Sequence, residues 1–199
     1  MNIEFWFEFA STYSYPAAMR VEAATAAAAV GVTWRPFLLG PIFAAQGWGD
    51  SPFNLYAAKG RYMWRDMERT CAALGLPWRK PSAFPRSGLV AARIATAADG
   101  EDWLPAFVRA VYRANFAEDR DITDRGVLGR ILEDLGQPAA DVLAGADSAP
   151  VKERLRRRTE EAVGLGLFGA PSFIVGDELF WGNDRLDQAI GHATAGGGG

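Results

Sequence analysis

The stretch that decides the fold runs over residues 3–37 and reads IEFWFEFASTYSYPAAMRVEAATAAAAVGVTWRPF. Over residues 3–9 apolar residues alternate with Glu except at Trp6, a pattern that predicts an inner β-strand with one fully packed face. The alanine-rich residues 16–30 predict a helix, with proline suitably placed in its first turn. Residues 32–37 predict a second strand. Together they form a βαβ unit, whose crossover is right-handed in nearly all proteins.

The remainder of the chain changes character twice. Apolar residues at helical spacing predict helices over 57–74, 87–98, 103–116, 124–135 and 151–163. After glycine-rich residues 164–169, the pattern predicts a hairpin with strands at 172–175 and 179–181, followed by a helix over 184–192. The sequence therefore predicts an α/β fold, with βαβ at the start and ββα at the end around a large helical insertion.

Composition excludes several kinds of protein. The 199 residues carry 21 Lys and Arg against 24 Asp and Glu, so no basic field is available for nucleic acid. The single cysteine, Cys71, excludes an internal disulfide, a CxxC redox pair and a cysteine-rich zinc site. The lone His192 cannot build a multi-histidine metal site, and near the chain end we do not expect it to act as a base. We expect no metal, and any enzyme here works without imidazole.

Two further expectations concern location. The chain opens MNIEFW, which lacks the basic and apolar segments of an export signal. No apolar run reaches the roughly 18 residues needed to span a bilayer. We therefore expect a cytoplasmic protein without a membrane partner.

Two short segments suggest a binding site. Ser11, Thr12 and Ser14 lie between the first strand and the first helix, where free N–H groups and the helix dipole favour an anion. Helix capping is the commonest use of such hydroxyls, so both interpretations stay open.

The second segment is Ala170-Pro171-Ser172, which opens the late strand. A strand boundary is its plainest interpretation, because proline is tolerated at the first position of a strand. In this layout, however, a cis proline would face the first helix and expose the backbone of Ala170 to a peptide-like ligand. The two segments would then form one site.

Four segments, taken together, resemble one known family. They are STYSY at 11–15, KGRY at 59–62 followed by Asp66, GAP at 169–171 and WGNDR at 181–185. The family is that of 2-hydroxychromene-2-carboxylate isomerases and kappa-class glutathione transferases, in the DsbA-like branch of the thioredoxin-like proteins. Thr12 replaces the family's usual proline, and Glu8 its usual aspartate.

The resemblance covers almost the whole chain and implies its domain organisation. The implied fold is a thioredoxin-like domain with a large α-helical insertion, as in DsbA. The implied parts are the thioredoxin-like domain at 1–39 and 166–195, the α-helical insertion domain at 40–165, and a flexible tail at 196–199.

The resemblance also implies glutathione as cofactor. Ser11 would be the catalytic residue and would hydrogen-bond the sulfur, since a hydroxyl donor at a helix N-terminus stabilises a thiolate. The implied cofactor-binding residues are Ser11, Lys59, Ala170, Pro171, Gly182, Asn183 and Asp184. Without the resemblance, Lys59 is an ordinary solvated residue, and Asn183 and Asp184 are ordinary helix caps.

The implied reaction is the glutathione-dependent isomerisation of 2-hydroxychromene-2-carboxylate to trans-o-hydroxybenzylidenepyruvate, in the degradation of aromatic compounds. Its substrate is a small aromatic carboxylate, which Phe43, Trp48 and Phe84 could receive in an aromatic pocket. Two alternatives stay open, a kappa-class-like glutathione transferase and a non-catalytic thioredoxin-like binding module. Relatives of this kind imply a homodimer.

Overall fold

A computed structural model describes residues 2–196. In chain order its elements are β1 (Asn2–Phe7), α1 (Ser14–Ala27), β2 (Gly31–Pro36), α2 (Leu39–Ala45), α3 (Pro52–Leu55), α4 (Ala57–Ala73), α5 (Leu89–Ala97), α6 (Leu104–Phe116), α7 (Arg125–Asp134), α8 (Ala139–Ala146), α9 (Ala149–Gly164), β3 (Ser172–Val175), β4 (Glu178–Trp181), a 3₁₀ turn (Asn183–Arg185) and α10 (Leu186–Ala195).

The strands form one mixed sheet in the order β2-β1-β3-β4. β2 runs parallel to β1, whereas β3 is antiparallel to both β1 and β4. The predicted inner position of the first strand is therefore confirmed, as are the βαβ unit and the late hairpin.

The two faces of β1 pack against different neighbours. On one face, the ring of Phe5 lies 5.0 Å from that of Trp34 on β2 and 5.4 Å from that of Phe173 on β3, measured between centroids. On the other face, Trp6 packs against Phe37 in a second apolar cluster that includes residues of α2 and α9. Both faces are covered by helices, which explains the nearly continuous apolar sequence of this strand.

The first strand ends two residues earlier than predicted. Beyond Phe7 the main-chain oxygens of Glu8 and Phe9 accept hydrogen bonds from the side chains of Tyr112 and Asn115 on α6, at 2.8 and 3.4 Å. Because these carbonyls have side-chain partners, the chain leaves the sheet and turns towards α1. Glu8 is consequently a turn residue rather than the end of a strand.

The first helix also ends early, at Ala27 instead of residue 30. Ala29 has a positive φ of 54°, and the N–H of Val30 bonds back to the carbonyl of Thr25. This closed turn ends the helix before Gly31. Sequence patterns gave no signal for it, since alanine rarely adopts the left-handed conformation.

The predicted middle helices are all present within two residues of their expected bounds, but three helices were missed. They are α2, α3 and α8, which have 7, 4 and 8 residues. Each is shorter than the window of about 11–18 residues over which the helical period of apolar residues can be recognised. The start of α3 does carry a local sequence signal. Ser51 caps the helix, and Pro52 occupies its first turn.

The predicted domain boundaries, near residues 39/40 and 165/166, fall close to the ends of β2 and α9 and stay a prediction. Of the predicted tail at 196–199, residues 197–199 lie outside the described residues. No helix within residues 2–196 combines the length and apolar character needed to cross a membrane.

Candidate functional site

A cavity of about 1250 Å³ opens between the loop after β1, helices α2 to α4, and the segments that flank the β3–β4 hairpin. Most of the residues singled out from the sequence meet in its wall. These are Ser11, Lys59, Ala170, Gly182, Asn183 and Asp184. The cavity therefore joins segments from both ends of the chain and from its helical middle.

Ser11 contacts the segment that precedes β3. Its Oγ donates a hydrogen bond to the carbonyl oxygen of Ala170 at 2.7 Å, and the Ala170–Pro171 peptide bond is cis. The same Oγ accepts the N–H of Ser14 at 3.3 Å. Capping is thus part of what Ser11 does, although Tyr13 precedes α1 directly and supplies no side-chain cap. The hydroxyl lies at the cavity wall, beside the first turn of α1.

Pro171 does not line the cavity, although the resemblance implies that it binds the cofactor. It is buried, and its carbonyl oxygen accepts the N–H of Gly182 at 2.9 Å. This bond ties the strand that follows Ala170 to the turn that carries Asn183 and Asp184. Pro171 therefore connects Ala170 to the turn after β4 without itself lining the cavity.

The turn after β4 presents polar groups to the cavity. Gly182 has a φ of +112°, and a Cβ at this position would lie 2.5 Å from Asp184 Oδ1, so only glycine fits without strain. Asn183 is buried, yet its Oδ1 accepts no hydrogen bond from any described residue. The Asp184 side chain is 74% exposed, and its nearest cation is Arg185, at 3.8 Å.

The interpretation of Asn183 and Asp184 as helix caps is wrong. Gly182 precedes the 3₁₀ turn and Arg185 precedes α10, and neither helix start has a hydrogen bond from a capping side chain. A buried polar atom without a hydrogen-bond partner costs about 1–3 kcal/mol of free energy, and such atoms usually contact a ligand or water. The orphaned Asn183 Oδ1 therefore favours a binding role.

Lys59 reaches the cavity from the first turn of α4. Its Nζ lies 5.2 Å from the centre of the Tyr56 ring, within the range of a cation–π contact. The next residue, Gly60, is buried where a Cβ would lie 2.2 Å from the carbonyl oxygen of Phe53. Glycine at position 60 thus lets α3 and α4 approach closely and holds Lys59 at the cavity wall.

Aromatic side chains form much of the remaining wall. Phe43, Trp48 and Phe84, proposed from the sequence as pocket residues, all line the cavity. The centroids of the Phe43 and Trp48 rings lie 5.6 Å apart. Near Ala170, the rings of Phe168 and Trp181 lie 4.8 Å apart, and each is about half exposed. Such a wall suits a planar, apolar ligand.

Sequence reasoning noted Glu8 only as a departure from the family pattern, yet Glu8 lines the cavity. Only 8% of its surface is exposed, and its Oε2 accepts the N–H of Ala10 at 2.9 Å. Burial raises the pKa of the Glu8 carboxyl from 4.5 to about 7, even though the N–H groups of Ala10 and Ser11 act in the opposite direction. Glu8 therefore titrates near neutral pH.

Tyr13 and Asp66 form a second polar pair that was not assigned a role. The Tyr13 hydroxyl donates to Asp66 Oδ2 at 2.9 Å, and both residues line the cavity. Burial, followed by the bond to Asp66, raises the pKa of the Tyr13 phenol. The pair links the loop after β1, which carries Ser11, to α4, which carries Lys59.

Neither Cys71 nor His192 lines the cavity. Cys71 is buried in the core, as predicted, and burial raises the pKa of its thiol to about 11. His192 lies within α10 against Phe180 rather than in a frayed end. The cavity's reactive groups are therefore hydroxyls, carboxylates and amines.

Comparisons with known proteins agree with this architecture. The family model of the DSBA-like thioredoxin domain matches residues 2–192. A 2-hydroxychromene-2-carboxylate isomerase of Sphingobium xenophagum is 32% identical over 187 residues, which cover 94% of each chain. Glutathione S-transferase kappa 2 of Caenorhabditis elegans is 26% identical over 200 residues, covering 94% of this chain and 88% of the transferase.

A solved structure is also similar. It is that of a 2-hydroxychromene-2-carboxylate isomerase, with a TM-score of 0.88, 24% identity, and coverage of 99% of this chain and 98% of the other. The predicted α/β, DsbA-like thioredoxin fold is confirmed. The chain belongs to the DsbA-like thioredoxin domain family, and within it to the group of 2-hydroxychromene-2-carboxylate isomerases and kappa-class glutathione transferases.

The raised pKa of Glu8 predicts a pH-dependent cost to stability. A carboxyl whose pKa is about 7 when folded and 4.5 when unfolded contributes no penalty below pH 4.5. The cost to stability builds up between pH 4.5 and 7, where the unfolded chain has lost this proton and the folded protein still holds it, and is constant at higher pH. We expect Glu8→Gln to be more stable than the wild type at about pH 8, by on the order of 2–3 kcal/mol, and the difference to shrink greatly at about pH 4.5. Urea unfolding at both pH values measures this difference. A difference independent of pH would contradict the assignment.

Proposed function

We propose that this protein is a glutathione-dependent isomerase that converts 2-hydroxychromene-2-carboxylate to trans-o-hydroxybenzylidenepyruvate. The observation that carries the proposal is the Ser11 hydroxyl, which lies 2.7 Å from the Ala170 carbonyl in the wall of a large, aromatic-lined cavity. A serine there can stabilise an external thiolate but cannot form a disulfide. The relative that is 32% identical, an isomerase, supports this reaction class.

The residues of the cavity fit glutathione. Its γ-glutamyl end carries an ammonium and a carboxylate, and the turn after β4 offers the exposed Asp184 carboxylate, the unpartnered Asn183 Oδ1 and the start of a helix. A carboxylate can accept from an ammonium group, and N–H groups at a helix start favour an anion. Lys59 supplies a cation for a second carboxylate.

Ser11 and Ala170 can exchange hydrogen-bond partners when a peptide-like thiol binds. At present each satisfies the other, because the hydroxyl donates to the carbonyl oxygen. If the hydroxyl turns to a sulfur anion, the Ala170 carbonyl becomes free to accept a peptide N–H from the same ligand. The exchange leaves no polar atom unpaired, so binding loses little of the hydrogen-bond energy already present.

Bound glutathione would supply a thiolate that adds reversibly to the conjugated double bond, allows rotation about the resulting single bond and leaves again in the trans product. The protein's contribution is to hold the reacting groups together and to stabilise negative charge. Ser11 and the first turn of α1 would stabilise the sulfur anion. The aromatic wall would receive the substrate ring, and Lys59 would pair either with the glycyl carboxylate of glutathione or with the carboxylate of the substrate.

A kappa-class-like glutathione transferase is the second candidate, supported by the 26% identity to glutathione S-transferase kappa 2. It would use the same Ser11 and the same thiolate but release a stable conjugate instead of the free thiol. Product analysis distinguishes the two. An isomerase regenerates glutathione, whereas a transferase consumes one molecule for each product formed.

Replacing Ser11 with alanine should lower glutathione-dependent turnover and raise the pKa of the bound thiol, because the hydroxyl donor is lost while the start of α1 remains. Loss of a single donor of this kind gives an upper range of about 10²–10³-fold in turnover. The assay follows chromene carboxylate conversion with and without glutathione, and the thiolate is titrated by its ultraviolet absorbance.

Ser14→Ala is the matched control, because Ser14 is buried one helical turn further on and does not line the cavity. Its effect should be smaller. The mechanism is wrong if the wild type turns over equally well without glutathione, or if Ser11→Ala changes neither the rate nor the thiol pKa.

Replacing Asp184 with asparagine should weaken glutathione binding by about 1–3 kcal/mol, because a charge-assisted contact with the ammonium is lost. The fold should be unaffected, since Asp184 caps neither helix start. Calorimetry gives the affinity, and the thermal midpoint reports the fold. Asp187→Asn is the control, because Asp187 is equally exposed but pairs with Arg20 and does not line the cavity. Equal affinities in all three proteins would remove Asp184 from the site.

A further inference from the structure

We propose that Glu8 takes up the proton that a thiol loses when it binds beside Ser11. This inference rests on the proposed function and adds to it a residue that handles the thiol proton. Ser11 does not fill this role, because a hydroxyl that donates to a thiolate cannot also accept the proton from the thiol.

The position of Glu8 supports this role. Glu8 and Ser11 belong to one tight turn, in which the N–H of Ser11 donates to the main-chain oxygen of Glu8 at 3.1 Å. The side chain folds back over the same turn, so that Oε2 accepts the N–H of Ala10 at 2.9 Å. Both Glu8 and Ser11 line the cavity. A ligand sulfur held by Ser11 therefore shares its wall with the Glu8 carboxyl.

The packing around Glu8 keeps most water away without closing the cavity side. Gly88 lies directly over the turn, where a Cβ would come within 2.6 Å of Phe9 Cβ and 3.2 Å of Glu8 Oε1. Glycine at position 88 thus allows close backbone cover of the carboxyl. Low exposure to water favours the protonated form, in agreement with the raised pKa of Glu8.

Among residues 2–196, no Lys or Arg lies within salt-bridge distance of the Glu8 carboxyl. From α6 the titratable group that faces it is Tyr112, whose hydroxyl donates to the main-chain oxygen of Glu8. Arg86, in the segment before α5, is engaged by Asp119 and Asn115. The other charged groups of the cavity wall are Asp50, Lys59, Asp66, Asp184 and Arg185.

The proton transfer is balanced and needs no other reactant. The S–H bond of the thiol breaks, its electron pair stays on sulfur, and an O–H bond forms at Glu8 Oε1, the oxygen that does not accept the Ala10 N–H. A negative sulfur close by, and a ligand that displaces water, both raise the pKa of Glu8 further. The ligand thiol and the Glu8 carboxyl thus share one proton over a range of pH around neutrality, as coupled acids do.

The test is the number of protons released when glutathione binds, measured by calorimetry in buffers of different ionisation enthalpy. S-methylglutathione, which has no thiol proton, provides the baseline, and ultraviolet absorbance shows whether the thiolate has formed. At about pH 8 we expect the wild type to form the thiolate with almost no release, and Glu8→Gln to form it with release of up to about one proton.

The wild type alone gives a second test, which does not depend on the folding of the variant. A thiol with a free pKa near about 8.5 that ionises into solvent on binding releases roughly one proton per thiolate formed at about pH 6, and still about three quarters of a proton at about pH 8. With Glu8 as acceptor, release at about pH 8 falls to almost none, whereas at about pH 6, where Glu8 is already protonated, each thiolate formed still releases its proton to solvent. Retained binding of S-methylglutathione by Glu8→Gln shows that the variant is folded.

The outcomes separate this inference from the proposed function. Equal proton release by the wild type and Glu8→Gln, with the thiolate formed in both, overturns the role of Glu8 and leaves the glutathione site in place. Release of most of a proton by the wild type at about pH 8, with the thiolate formed, does the same. Failure of glutathione to bind overturns the proposed function, and this inference with it.

Discussion

The hydrogen bond from Ser11 Oγ to the Ala170 carbonyl joins residues that are 159 positions apart, and the site depends on it. It can form only because β1 and β3 are neighbours in the sheet, with Trp6 opposite Ser172. That pairing brings the end of β1 next to the start of β3. Helix α1 follows β1 and leads to the parallel strand β2, so its first turn lies at the same edge of the sheet as the end of β1. Sheet register thus determines where the Ser11 hydroxyl, the start of α1 and the Ala170 carbonyl meet.

Much of this arrangement could be predicted from local signals. Alternation of apolar residues marked β1, alanine content marked α1, and glycine, proline and short apolar runs marked the late hairpin. The resemblance in four segments then indicated that Ser11, Lys59, Ala170 and Asp184 belong to one site, and the structure brings these four residues to one cavity. Their roles in binding stay a prediction.

Other features depend on tertiary contacts that no local pattern reports. The turn that ends helix α1 contains Ala29 in a left-handed conformation. Strand β1 ends where side chains of α6 donate hydrogen bonds to the carbonyls of the next two residues. The burial of Glu8 depends on Gly88, which is distant in the sequence. Because Gly88 has no Cβ, its backbone can pack closely over the Glu8 carboxyl. From the sequence alone, a glutamate at the end of an apolar segment is expected to be exposed to water. The packing of Gly88 and Phe9 shows that Glu8 is buried.

The loop STYSY limits what chemistry the fold can support. Dithiol oxidoreductases need two cysteines, three positions apart, at this turn, and here both positions are serine. Ser11 faces the cavity, whereas Ser14 is fully buried and does not line it. Thr12, between them, donates to Met63 Sδ at 3.1 Å and so fixes the loop to α4. One hydroxyl is therefore presented on a rigid turn, beside a carboxyl that titrates near neutral pH. In the function proposed above, this combination would hold a single external sulfur and its proton, which suits reversible addition of a thiolate better than disulfide exchange.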